Sequence, residues 1–144
     1  MTYPPLSQEN AEARYDADNR IVFVRYHGAL TADASSAVYE WLETLIRTYG
    51  SETIYGEIWD FREVTQFMPD NIMDARKNSR RINLRMDTKS IPVAMVVKDF
   101  FQEEILRGPM KNVPENQRKS IVRNMNDAHA FLDAWHARQR ENTE

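Results

Sequence analysis

The chain has 144 residues, of which 28% are charged and 42% hydrophobic, with a formal net charge of −3 and no cysteine. That length is the usual size of one domain and is enough to bury a core without staples. The missing cysteines exclude disulfides, thiolate metal sites and thiol nucleophiles, and the mild acidity gives no global pull towards nucleic acid or anionic membrane.

Residues 1–10 are polar with two adjacent prolines and read as an N-terminal tail or docked arm, with neither the basic region nor the apolar run of a signal peptide. Ala11 to Tyr15 reads as a short edge strand. Asp16-Ala17-Asp18-Asn19 is turn chemistry, because Asp and Asn bond back to local backbone. Arg20 to His27 is β-branched and aromatic and reads as a strand ended by Gly28. Thr31 is placed to cap a helix in which Ala34, Val38, Trp41, Leu42, Leu45 and Tyr49 share one face, with Gly50 as its stop.

Thr53 to Phe61 is the next expected strand, followed by a loop through Arg62-Glu63-Val64. Pro69 or Asp70 opens a second helix running to about Arg85. Ile91 to Val97 is apolar enough for a strand covered on both faces, and too short to span a bilayer. Asp99 to Arg107 reads as helical, broken by Gly108-Pro109, with an irregular segment from Met110 to Gln117. Ser120 to Arg123 is a last strand, and Asn126 caps a final helix with Ala128, Phe131, Leu132 and Trp135 on its apolar face. The Trp41 and Trp135 rings are expected to be mostly buried. Residues 11–139 form the expected domain and 140–144 a polar tail.

Strands alternating with helices predict a single α/β domain with a mixed, mainly parallel sheet of about five strands and four helices. This order resembles the STAS-like superfamily, with its SpoIIAA-like bacterial proteins. The resemblance spans Ala11 to Arg138. It rests on Gly28-Ala29-Leu30-Thr31 entering the first helix, on Trp59-Asp60-Phe61-Arg62-Glu63-Val64, and on Ser120-Ile121-Val122-Arg123 leading into Asp127-Ala128-His129-Ala130-Phe131-Leu132. It implies a non-catalytic, cytoplasmic bacterial module that binds a protein partner in regulation. It also implies no cofactor and is compatible with a homodimer. Phosphorylated members of the family carry an acceptor serine after a strand-loop motif of this kind. Here the chain reads Phe67-Met68-Pro69-Asp70-Asn71, which has no hydroxyl to accept phosphate.

Two surfaces stand out. On the second helix, Ile72, Ala75, Ser79, Ile82 and Met86 form an apolar arc. Arg76, Lys77, Arg80, Arg81 and Arg85 spread over the other half, with Met73 and Leu84 among them. That half reads either as a solvated face or as a docking face for an acidic protein partner or for phosphate groups. No helix-turn-helix pattern supports nucleic acid. The second surface is a rim at the strand ends. Asp60, Arg62 and Phe67 would meet Lys98, Asp99, Phe100 and Phe101 if their strands are parallel neighbours. It reads either as an ion-paired sheet end or as the lip of an apolar pocket for a small molecule or lipid. No Gly-x-Ser-x-Gly elbow or Gly-rich phosphate loop occurs. His129, Asp133 and His136 share one side of the last helix, but the two histidines stand about 10 Å apart along it, so a wet flank is expected rather than a metal site.

Overall fold

The computed structural model describes residues 3–85, 88–110 and 118–143. Among them lie β1 (Leu6–Ser7), β2 (Ala11–Asp16), β3 (Ile21–Leu30), α1 (Ala32–Tyr49), β4 (Gly56–Phe67), α2 (Pro69–Arg85), β5 (Val93–Val96), α3 (Phe100–Met110), β6 (Lys119–Val122) and α4 (Met125–Thr143), with a 3-10 turn at Ser51–Thr53. The expected α/β class is the one found. The sheet has six strands rather than five, in the order β1-β2-β3-β4-β5-β6. The β1–β2 and β2–β3 pairs are antiparallel, and the remaining pairs are parallel.

A sequential strand order with right-handed crossovers puts the connecting helices on one face. The core divides accordingly. Val38, Leu42 and Leu45 of α1, Ile82 of α2 and Leu106 of α3 pack with Val22, Val24, Trp59 and Phe61 on one face of the sheet. Ala128 and Leu132 of α4 pack with Ile21, Ile58, Ala94 and Val96 on the other.

Local chemistry places several boundaries as expected. Asp16 Oδ1 accepts from the amides of Asp18 and Asn19 at 3.1 and 3.3 Å, closing the β2–β3 turn. Thr31 Oγ1 accepts from the Ala34 amide at 3.3 Å at the start of α1. The apolar stripes of α1 and α4 face inward, and Trp135 is buried. Trp41 is only half-buried. It packs at the margin of the core and is also met by the N-terminal arm, with the Tyr3 ring 5.4 Å away and the Pro4 carbonyl accepting from Trp41 Nε1 at 2.9 Å.

Other boundaries differ. The arm is partly strand, because Leu6 and Ser7 pair with Ala13 and Glu12. Gly28 does not end β3. It takes a φ of +71°, which glycine adopts without steric cost, and the pairing with β4 shifts register there. The strand then resumes, so β3 and β4 stay paired as far as Leu30 and Phe67. The segment Arg62 to Phe67 is therefore strand, not loop. Asn124 rather than Asn126 caps α4, its Oδ1 accepting from the Asp127 amide at 2.7 Å. α3 continues through Gly108-Pro109 to Met110, where the missing proline hydrogen bond falls in the last turn. α4 likewise continues to Thr143, through residues expected as a polar tail. Residues 111–117, most of the segment expected to be irregular, lie outside the described residues.

Candidate functional site

β4 and β5 are parallel neighbours with Asp60 opposite Val96, so Asp60 lies level with the carboxyl end of β5, while β4 itself runs on to Phe67. The charges there satisfy one another locally. Asp60 accepts from the Arg62 amide and Nε at 3.0 Å and from an Arg62 terminal nitrogen at 2.9 Å. Burial lowers and this pairing raises the Arg62 guanidinium, and the pairing prevails. Asp99 Oδ1 instead caps α3 by accepting from the Gln102 amide at 2.9 Å. No ion pair joins Lys98 or Asp99 to Asp60 or Arg62 among the described residues.

What joins the two sides of the rim is Gln102, which sequence reasoning missed. It is 2% exposed. Its Nε2 donates to the Phe61 and Val64 carbonyls at 3.0 and 3.1 Å, and its Oε1 accepts from the Lys98 amide at 2.9 Å. β5 ends at Val96 while β4 runs on to Phe67, so those β4 carbonyls have no ladder partner on that side. The glutamine amide supplies their partner and ties the start of α3 to the sheet. A lone glutamine in a helical turn carries no sequence signal for this.

The rim aromatics separate. The Phe67 ring stands 6.2 Å from that of Phe61, itself stacked on Tyr26, and belongs to the edge of the core. Phe100 and Phe101, on the first turn of α3, are 66% and 71% exposed. With both rings in solvent they do not close a buried pocket over Phe67. They form an apolar projection at the end of the sheet.

On α2, Ile82 is buried and Met73 is 77% exposed, as expected, while Asn71 and Asn78, which the apolar arc did not include, are buried beside Ile82. The inward polar groups meet polar groups of α1. Ser36 Oγ and Asn78 Nδ2 both donate to Asp74 Oδ2 at 2.8 Å, and Asn71 Nδ2 donates to the Thr31 carbonyl at 3.1 Å. Of the basic residues, Lys77 and Arg80 are exposed. Arg81 is not fully solvated. It reaches Glu43 of α1 at 3.8 Å, and its Nε is buried without a hydrogen-bond partner among the described residues. The side chains of Arg76 and Arg85, and those of Ile72, Ala75, Ser79, Leu84 and Met86, lie outside the described set.

The α4 flank does not converge on a metal. Tyr55 donates to Asp133, and this bond together with burial pushes its hydroxyl up to about 12. His136 Nε2 pairs with the Tyr55 carbonyl at 2.7 Å, and the His129 ring stands 6.1 Å from that of Phe23. Among the described residues no group of three or more His, Asp and Glu side chains is arranged to hold a metal ion. None of the described helices is long and apolar enough to cross a membrane.

No family model and no curated protein matches the sequence. Solved structures do match the fold. An uncharacterised DUF3478-family protein from Shewanella loihica, with a SpoIIAA-like fold, aligns at a TM-score of 0.57 and 17% identity over 88% of this chain and 98% of its own. The unphosphorylated anti-sigma factor antagonist SpoIIAA aligns at 0.53 and 10% identity over 86% and 96%. The murine solute carrier 26 family member A9 anion transporter aligns at 0.57 and 18% identity over 81% of this chain but only 18% of its own. With the helices and sheet disposed as described, the chain has the SpoIIAA-like fold.

Proposed function

We propose that this domain is a non-catalytic regulatory module of the bacterial cytoplasm. It binds a partner protein through the start of α3 and works without a phosphoserine switch between β4 and α2. The observation that carries this reading is the exposed pair Phe100 and Phe101. With Met73 they are the large apolar side chains left in solvent among the described residues. Two adjacent exposed phenylalanines present an apolar area that a bound partner would remove from water. Gln102 holds the turn that bears them, so the projection is rigid rather than a loop tip. A preorganised aromatic anchor is what a binding hot spot requires.

The exposed cation Lys98 borders the pair, and Lys77 and Arg80 are exposed on α2. A partner offering an apolar hollow ringed by carboxylates would complement these groups. SpoIIAA supports the general reading by its name, anti-sigma factor antagonist. At that identity it lends a fold and not a partner.

The test is capture from host lysate with the full chain as bait, comparing the parent with Phe100→Ser/Phe101→Ser. The parent is expected to retain a specific protein that the double variant loses, with unchanged circular dichroism. Equal capture by both, with the fold intact, would remove α3 from the interface.

A further inference from the structure

Proline has no N–H to give to a ladder, so Pro4 and Pro5 in succession cannot extend a strand. The arm accordingly pairs with β2 only at Leu6 and Ser7. Before those residues it lies against α1. Trp41 Nε1 donates to the Pro4 carbonyl at 2.9 Å, and the Tyr3 hydroxyl donates to the Trp41 carbonyl at 3.4 Å. The Tyr3 ring meets Trp41 edge-on, with centroids 5.4 Å apart, and stands 5.9 Å from Tyr49. Tyr15 of β2 lies 5.3 Å from Tyr49 and completes an aromatic row.

The row and its occupant differ in how firmly they are held. Trp41, Tyr49 and Tyr15 stand on α1 and β2 and pack against the core. The arm is held more lightly. Pro4, Pro5 and Ser7 are exposed, Tyr3 and Leu6 are only partly covered, and none of residues 3–8 is charged. Its base is fixed at Asn10, whose Nδ2 donates to the Ala29 carbonyl at 2.6 Å and whose carbonyl accepts from the His27 amide at 3.1 Å. Undocking the arm ahead of Asn10 breaks two hydrogen bonds to Trp41 and a two-residue ladder, and leaves the β2–β3 pairing whole. Segments that open at so small a cost are the ones from which switches are drawn.

We propose that the row Tyr15, Tyr49 and Trp41 is a docking site for a proline-rich segment of a partner protein, of the form aromatic-Pro-Pro-aliphatic, and that the chain's own arm competes for it. The arm displays the chemistry that fits. It sets an aromatic ring against Trp41 and Tyr49, a carbonyl on the Trp41 indole N–H, and an aliphatic side chain, Leu6, at the core margin. Aromatic-lined grooves recognise proline-rich segments because a fixed φ lowers the ordering cost of docking. A partner segment of this form replaces the arm contact for contact. The tethered arm acts at an effective concentration of about millimolar, so the site opens only to a segment that exceeds it by affinity or avidity. This flank is separate from the start of α3, and the inference does not depend on the reading there.

The test uses the full chain and a capped peptide with the sequence of residues 3–8. Tyr3→Ser/Leu6→Ser removes the arm's apolar contacts and frees the row. The Trp41 indole N–H signal, assigned by its loss in Trp41→Phe, reads occupancy by NMR. The peptide is expected to shift that signal saturably in the double variant. It should bind the parent about tenfold more weakly or worse, because the tethered arm competes. Replacing both prolines of the peptide by alanine should weaken binding about threefold or more. Adding Trp41→Phe to the double variant, read at the Tyr49 amide, should weaken it about fivefold through loss of one hydrogen bond. If the double variant does not fold, Tyr3→Ser alone takes its place with the same order expected. The proposal is overturned if millimolar peptide leaves the Trp41 signal of the folded variant unmoved, or if parent and variant bind alike. It is equally overturned if the alanine peptide binds as well, if Trp41→Phe changes nothing, or if the shifts map away from Tyr15, Trp41 and Tyr49. Movement of the Trp41 signal on dilution of the parent alone also overturns it, because the arm of a second copy would then be the occupant.

Discussion

Leu132 occupies the space where a side chain on residue 56 would stand. A Cβ built on Gly56 would lie 2.7 Å from Leu132 Cδ2 and 2.8 Å from its Cδ1. Leu132 is fully buried and cannot swing aside. α4 thus sits directly on the backbone of β4 where that strand begins. Gly56→Ala is expected to destabilise by about 1–3 kcal/mol through overpacking, and Leu132→Ala by about 2–5 kcal/mol through the cavity it leaves. The double variant should cost less than the sum, since each change relieves the other. Urea unfolding of the four proteins measures this, and additive costs would show that the two residues do not share the space.

Arg81 separates two variants that the sequence alone treats as equivalent. Lys77 and Arg80 are exposed, so Lys77→Glu/Arg80→Glu should stay within about 0.5 kcal/mol per site of the parent. Adding Arg81→Glu sets a carboxylate against Glu43, which is 7% exposed and also paired with Arg47 at 3.1 Å. The triple variant should lose roughly a further 1–2 kcal/mol, discounted for the partial exposure of Arg81. A triple variant as stable as the double would mean that Arg81 is as free as its neighbours.

Glu57 and Glu103 should respond to acid in opposite directions. The ordinary value for both is 4.5. Hydrogen bonds from Arg123 and Arg107 hold Glu103 below that value. Its contribution to stability is present above 4.5 and is lost as pH falls through its depressed folded pKa. Burial pushes Glu57 up, against the attraction of Arg118 and a 2.9 Å hydrogen bond from Trp59 Nε1. Its contribution is full below 4.5 and declines as pH rises through the raised folded pKa. Relative to the parent, Glu103→Gln should therefore gain stability on acidification from about pH 7 to about pH 3, and Glu57→Gln should lose it. Chemical denaturation at the two pH values reads the signs, and the same sign for both would contradict this assignment.

The sequence by itself determined what depends on neighbours along the chain. The Asp16 turn and the Thr31 cap are local hydrogen bonds, and the stripes of α1 and α4 are helical periodicities of apolar residues. Those signals were enough for the α/β class and the fold resemblance. Tertiary structure decided where polar residues turn inward and where strands stop. Periodicity assigns a polar residue to solvent by default, yet Asn71, Asn78 and Gln102 are all buried. Asn71 bonds a group 40 residues away, and Gln102 bonds groups 41 and 38 residues away. β3 likewise passes Gly28 because β4 continues beside it. Each outcome depends on which distant backbone offers an unmet hydrogen bond or an uncovered surface, and no window of local sequence contains that information.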